Sequence, residues 1–265
     1  MKTISDSLKE NNLNSPYLNY ASNTFSQFGD DGIINQLLKE LNIDTGVVVE
    51  FGAWDGLYCS NSYNLWRNKG FNAVLIEANP HKANELIQLT SKVSNVESSQ
   101  GIISSNPNAD NSLDSILSRS KFNINNDNLA LISIDVDGDD YGIFSSIIKY
   151  RPAIFMVETA GGWPWDTEYI GTGASLKSLT NLAITKEYTL VCCNGNAYFV
   201  RNDKLNLLQH YDSKLTIQDY HMKDNFVNGI LTNLDPNGDV LDYMYWQHQD
   251  YLNQIQSEKD KLLSL

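Results

Sequence analysis

The apolar positions of this chain change period repeatedly, and each change marks an element. Ile33, Ile34, Leu37, Leu38 and Leu41 recur at helical spacing, with Asp30 ahead of them as a natural N-cap. Val47, Val48 and Val49, followed by Glu50 and Phe51, are short, β-branched and apolar on both faces, as a buried parallel strand should be, and Gly52 ends it. Ser60 to Lys69 predicts a helix stopped by Gly70, and Ala73 to Ile76 a second strand closed by Glu77. Pro80 then opens a helix whose packing face is Ala83, Leu86 and Ile87.

The alternation continues beyond it. Val93 to Ile103 contains an edge strand with Ser98, Ser99 and Gln100 near its end, and Ser112 to Leu117 a short helix. The apolar run from Leu129 ends in Asp135 and Asp137, which fall on the same side of the strand if it stays extended. Asp139 and Asp140 begin a helix with Ile143, Phe144, Ile147 and Ile148 packing inward. Ala153 to Val157 is a further strand ending in Glu158, and a helix from Ser175 to Ala183 follows. Asn194-Gly195, between Tyr188 to Cys193 and Ala197 to Val200, is a strong hairpin signal.

Strands alternating with helices predict an α/β, Rossmann-like fold. Residues 1–24 read as a polar leader segment, 25–202 as the main domain and 203–265 as a C-terminal extension. In that extension Leu205, Leu207, Leu208, Ile217, Phe226, Ile230 and Leu231 are scattered, and Tyr243, Tyr245, Trp246 and Tyr251 accompany a final helix.

Composition narrows the function. At 265 residues the chain can bury a full core, and its net charge of −13, from 19 basic and 32 acidic residues, repels phosphate backbones and anionic membranes. Nucleic acid and membrane are therefore excluded as expected partners. Cys59, Cys192 and Cys193 form no C-x-x-C and no zinc set, and they read as buried thiols of a reducing, cytoplasmic protein. No signal-peptide core and no run of 18 or more apolar residues occurs.

In an open parallel sheet a ligand sits outside the carboxyl ends of the strands, which places it at the Gly52 turn. Gly52 and Gly56 let the backbone approach closely, and Glu77 suits the two hydroxyls of a ribose. The turn E-F-G-A-W-D-G lacks the three glycines of a dinucleotide fingerprint, which counts against an NAD-dependent oxidoreductase. Its acids, Glu50 and Asp55, would repel a pyrophosphate but suit a cofactor carrying a cation, a description that S-adenosylmethionine fits.

The stretch from Val47 to Pro80 resembles motif I and the acidic second strand of class I S-adenosylmethionine-dependent methyltransferases. EFGAWDG with SNSYNL after it, and SIDVDGDDY later, are most similar to the FkbM-like branch, many of whose members O-methylate sugars. The resemblance covers roughly Ser26 to Val200. It implies a seven-stranded, mostly parallel sheet with helices on both faces and an antiparallel terminal hairpin. It places Glu50, Gly52, Trp54, Asp55, Ser60 and Asn61 around the cofactor's methionine moiety, Glu77 and Ala78 at its ribose, and Asp135 nearby. The Ser26-Gln27 entry to the first helix would border the methionine end.

Asp137, with Asp135 and Glu158, would deprotonate or orient the acceptor. The wording around Asp137 is also similar to the D-G-D-x-Y of macrolide sugar O-methyltransferases, whose first Asp helps to hold magnesium, so a divalent cation is a second way for the three carboxylates to coexist. The loop from Gly161 to Gly173 carries Trp163, Trp165 and Tyr169, whose faces suit a sugar ring, and His221 is the second candidate base. The expected acceptor is a small molecule or glycan, such as a sugar of a surface or capsular polysaccharide or its activated precursor. The extension would lid the acceptor site or make a homodimer contact. A non-catalytic protein that keeps the fold is the remaining alternative.

Overall fold

The computed structural model describes residues 14–222 and 231–265. Phe226 and Ile230, and most of the leader, lie outside the described residues.

Nine strands follow in chain order: β1 (Val47–Phe51), β2 (Asn72–Glu77), β3 (Val96–Gln100), β4 (Leu129–Ile134), β5 (Ile154–Glu158), β6 (Ile170–Gly171), β7 (Gly173–Ala174), β8 (Tyr188–Cys193) and β9 (Asn196–Arg201). Seven of them make one sheet in the order β3-β2-β1-β4-β5-β9-β8, while β6 and β7 pair separately. The first five strands of the large sheet are parallel, and β9 runs antiparallel to both β5 and β8. Asn194 and Gly195 form the β8–β9 turn, with Gly195 at φ 113°. The seven-stranded, mostly parallel sheet with an antiparallel terminal hairpin is thus present.

The helices are α1 (Asp30–Glu40), α2 (Tyr63–Asn68), α3 (Pro80–Thr90), α4 (Leu113–Leu117), α5 (Asp140–Ser146), α6 (Leu176–Thr185), α7 (Ile217–Tyr220) and α8 (Gln249–Leu263). They sit on both faces because every central strand is apolar on both. On one face Val48, Leu75 and Ile154 pack in a cluster with Leu37 of α1, Trp66 of α2, Leu86 of α3 and Tyr251 of α8. On the other, Val49, Val74 and Phe155 pack with Leu113 of α4, Phe144 of α5 and Leu179 of α6. Each fully buried side chain of this size contributes about 1.5–3 kcal/mol, so these two layers hold the sheet.

Local details differ from the sequence reading where polar groups or helix ends intervene. Gly29, in the left-handed region, is the N-cap of α1, and Asp30 is its first residue. Helix α2 begins at Tyr63 instead of Ser60, because Ser60 to Ser62 turn back onto Glu50. In α3, Leu89 is buried and Ile87 is exposed. Helix α5 stops at Ser146 and Ile147 is extended, which turns Ile148 outward to 70% exposure. No helix among the described residues is long and apolar enough to cross a membrane.

The C-terminal extension folds back onto the first face. Tyr63 donates to Glu258 at 2.8 Å, and the Lys259 ammonium lies 2.6 Å from Asp55. Tyr251 is fully buried among the residues of α1, α2 and α3.

Candidate active site

The ends of β1 and β4 approach at backbone distance. Gly52 has φ +70°, and a Cβ built on it would lie 1.7 Å from the carbonyl oxygen of Asp135, so only glycine fits. The turn that follows is bent further by left-handed residues at Trp54 and Cys59, and its N–H groups are met by carboxylates of β2 and of the turn itself. Trp54 N–H donates to Glu77 Oε2 at 2.8 Å, and Leu57 and Tyr58 donate to Asp55 Oδ1 at 3.1 and 2.9 Å.

A cavity of about 770 Å³ opens above this turn, at the carboxyl ends of β1, β2 and β4. Gly52, Trp54, Glu77, Ala78, Asp135 and Asp137 all line it. Glu50, Asp55, Ser60 and Asn61 do not, and each has a physical reason to lie behind it. Glu50 sits inside β1, where burial pushes its carboxyl up, so it must find internal donors: Ser60, Ser62 and the Asn61 N–H. Burial also pushes Asp55 up, but Lys259 and two backbone N–H groups outweigh this and hold its carboxyl below the usual value. Asn61 is buried, with its side-chain amide toward Ser133 at 3.4 Å.

These residues fit a nucleoside-bearing ligand. Each Glu77 oxygen accepts one N–H, from Trp54 and from Asn79 at 2.6 Å, which leaves a lone pair on each for a ribose hydroxyl. Ile102, Ile103 and Ile143 make an apolar part of the cavity lining, to which Ser98, Ser99 and Gln100 of the edge strand do not contribute. Strand β3 ends at Gln100, and it is Gly101, Ile102 and Ile103 just beyond it that line the cavity.

A second cavity, of about 460 Å³, lies beyond β5. Trp163 and His221 line it, whereas Trp165 and Tyr169 do not. The Tyr169 ring is stacked behind Trp163 at 4.2 Å, and His221 Nε2 is 2.8 Å from the Trp163 carbonyl oxygen. Phe28 and Glu158 line both cavities. Phe28 is pinned at both backbone groups: its N–H donates to Asp30, and its carbonyl accepts from Asn194 at 2.8 Å. Asp30 also accepts from Asn194, Asn196 and Tyr198, and Asp31 from three backbone N–H groups, so both acids are structural.

At the junction, one oxygen each from Asp135, Asp137 and Glu158 lies within 4.8 Å of the others. Burial, then the neighbouring Glu158 charge, raises the Asp135 carboxyl well above its ordinary range. Glu158 is pushed up to about 7, by burial first and then by Asp140 and Asp137. Asp137 reaches the cluster although β4 ends at Ile134, because it adopts φ 54°. Asp140 fixes that bend by accepting from the N–H groups of Val136 and Gly138 at 2.9 and 3.2 Å.

Sequence reasoning missed Trp246, Tyr58, Thr159 and Met222 as lining residues. Tyr58 could have been found from its place in the glycine turn. Thr159 and Met222 each follow a residue the sequence does single out, Glu158 and His221, whereas Trp246 comes from a segment distant in sequence that no local pattern marks.

No family model and no curated protein matches the chain. Solved structures similar to it include M. capricolum TrmK in complex with S-adenosyl-homocysteine, with a TM-score of 0.39 and 11% identity over 86% of this chain and 95% of that one. A SAM dependent methyltransferase from Aquifex aeolicus gives 0.38 and 11% over 74% and 96%, and the CurJ carbon methyltransferase 0.42 and 11% over 64% and 52%. Likeness at this level carries no argument about this chain, whose fold rests on its own strand order and registers.

Proposed function

We propose that this chain is an S-adenosylmethionine-dependent O-methyltransferase acting on a neutral, polyhydroxylated acceptor, with a sugar of a surface or capsular polysaccharide as the class. The observation that carries this reading is the meeting of two cavities at Phe28 and Glu158, beside the half-buried carboxylates of Asp135 and Glu158. A nucleoside-sized ligand on one side and an acceptor on the other would face each other there.

The cofactor, when bound in the larger cavity, would supply an electrophilic methyl group on a sulfonium. Gly52 lets the ends of β1 and β4 close up beneath it, Glu77 would accept from its ribose, and the isoleucine lining would take the flat base. Glu158 would accept the acceptor's hydroxyl proton. A carboxyl pushed up to about 7 is a stronger base than an ordinary one and is still ionised in part at neutral pH. Most of the rate would come from holding the two reactants in line.

Asp135, Asp137 and Glu158 also fit a hard divalent cation, as three carboxylates gathered at one point; magnesium held there would orient the acceptor oxygen and ease loss of its proton. No lysine or arginine among the described residues lines either cavity, so a phosphate-bearing precursor would meet carboxylates there and neither of those cations. This favours the glycan itself over its activated form.

Calorimetric titration with S-adenosylhomocysteine and with NAD, each with and without magnesium, tests the reading. Binding of S-adenosylhomocysteine and not of NAD is expected. No binding of it, or preference for NAD, overturns the proposal, and a magnesium requirement would assign the acid cluster to the ion.

A further inference from the structure

One phenol of the extension bridges two segments on the cofactor side of the site. Tyr251, on α8, donates its hydroxyl proton to the carbonyl of Phe25 at 2.8 Å and accepts the N–H of Cys59 at 2.8 Å. Both partners belong to segments that line the larger cavity. Tyr58 and Cys59 close the glycine turn, and Gln27 and Phe28 follow Phe25 by two and three positions. Cys59 is held at φ 55°, a conformation that a non-glycine residue keeps only when its surroundings fix it. The Tyr58 ring meets Tyr251 edge-on at 5.9 Å, and Lys259, two turns further along α8, anchors Asp55 at the other end of the same turn. No residue of α8 itself lines the cavity.

Resting on the cofactor reading above, we propose that Tyr251 is a positioning residue: it locks the turn from Gly52 to Ser60 against the segment from Phe25 to Phe28, so that docking of α8 and occupation of the larger cavity are coupled. The phenol is suited to this because it uses one donor and one acceptor at once, and both strands of the lock must be in place before either bond has its full strength. Coupling of this kind is reciprocal. If α8 orders the turn for the ligand, the ligand must order α8.

The test uses the full chain and S-adenosylhomocysteine. In the wild type, the ligand is expected to slow amide hydrogen exchange across residues 249–263, although none of them touches the cavity. Tyr251→Phe is expected to bind S-adenosylhomocysteine about tenfold more weakly and to lose that protection. Ile255→Val, a core change on the same helix, should lower the melting temperature while leaving the affinity unchanged. Unaltered exchange across 249–263 in the liganded wild type overturns the proposal, even if Tyr251→Phe fails to fold. Equal affinity of Tyr251→Phe and wild type overturns it too. Failure of the wild type to bind at all would instead bring down the cofactor reading itself.

Discussion

Asp135 and Glu158 end adjacent parallel strands, and their carboxylates meet in a partly dry pocket where both are driven above their ordinary range. The pair holds a proton more tightly in the folded chain than in the unfolded one. Its contribution to stability is therefore complete below about pH 4 and is lost as pH rises through about 7. Glu158→Gln removes the charge and should raise stability at pH 8 by about 1–3 kcal/mol, a few degrees in melting temperature, with little change at pH 4. Thermal melts at the two pH values check this; equal effects at both would mean that Glu158 is not charged at a cost.

Asp55 behaves in the opposite sense. Lys259 and two backbone N–H groups hold its carboxyl low, so its contribution is present at neutral pH and lost as pH falls through that lowered value. Lys259→Met should cost about 1–3 kcal/mol at pH 7 and move acid unfolding to higher pH. Urea melts at pH 7 and at pH values stepped down below the ordinary carboxylate range would show wild type and Lys259→Met converging only at the lowest of them.

The two glycines of the turn should respond unequally to alanine. At Gly52 the added Cβ meets a backbone carbonyl at 1.7 Å, which nothing can relieve without separating β1 from β4. At Gly56 it meets the Leu86 Cδ1 at 2.7 Å, and a side-chain end can move. Gly52→Ala should fail to yield folded protein, while Gly56→Ala should fold with a loss of about 1–3 kcal/mol from its φ of +83°. Circular dichroism and melting curves of the purified variants decide it.

Glu77→Gln keeps the shape of the side chain but replaces one acceptor oxygen with a donor group. It must leave either Trp54 or Asn79 without its acceptor and offer one fewer to the ligand. Affinity for S-adenosylhomocysteine should fall about tenfold or more by calorimetry, with a smaller loss of affinity for free adenine, which has no ribose.

The fold was legible because its signals are local. The valine run before Gly52, the acids closing β2 and β5, and Asn194-Gly195 each mark an element without reference to the rest of the chain. The strand-end acids were legible for the same reason, since an open parallel sheet exposes that end. Glu50 and Asp55 were read as facing the ligand because sequence shows only that acids flank the turn. It does not show that one is sealed inside a strand and the other claimed by Lys259, far along the chain. The second cavity was hidden in a similar way: Phe28, Trp163, Gly195 and His221 are brought together only by the assembled sheet. Partial exceptions are Trp163 and His221, whose aromatic and titratable side chains stand out in any context.

The lock formed by Tyr251 also orders events in time. Cys59 and Tyr251 are 192 positions apart, so at about 5–20 residues per second a ribosome leaves the turn waiting about 10–40 s for its last partner. During translation the first βαβ unit has its sequence complete while the hydroxyl that bonds Cys59 and Phe25 has yet to be made. On the proposed coupling, ligand capture would follow the synthesis and docking of α8.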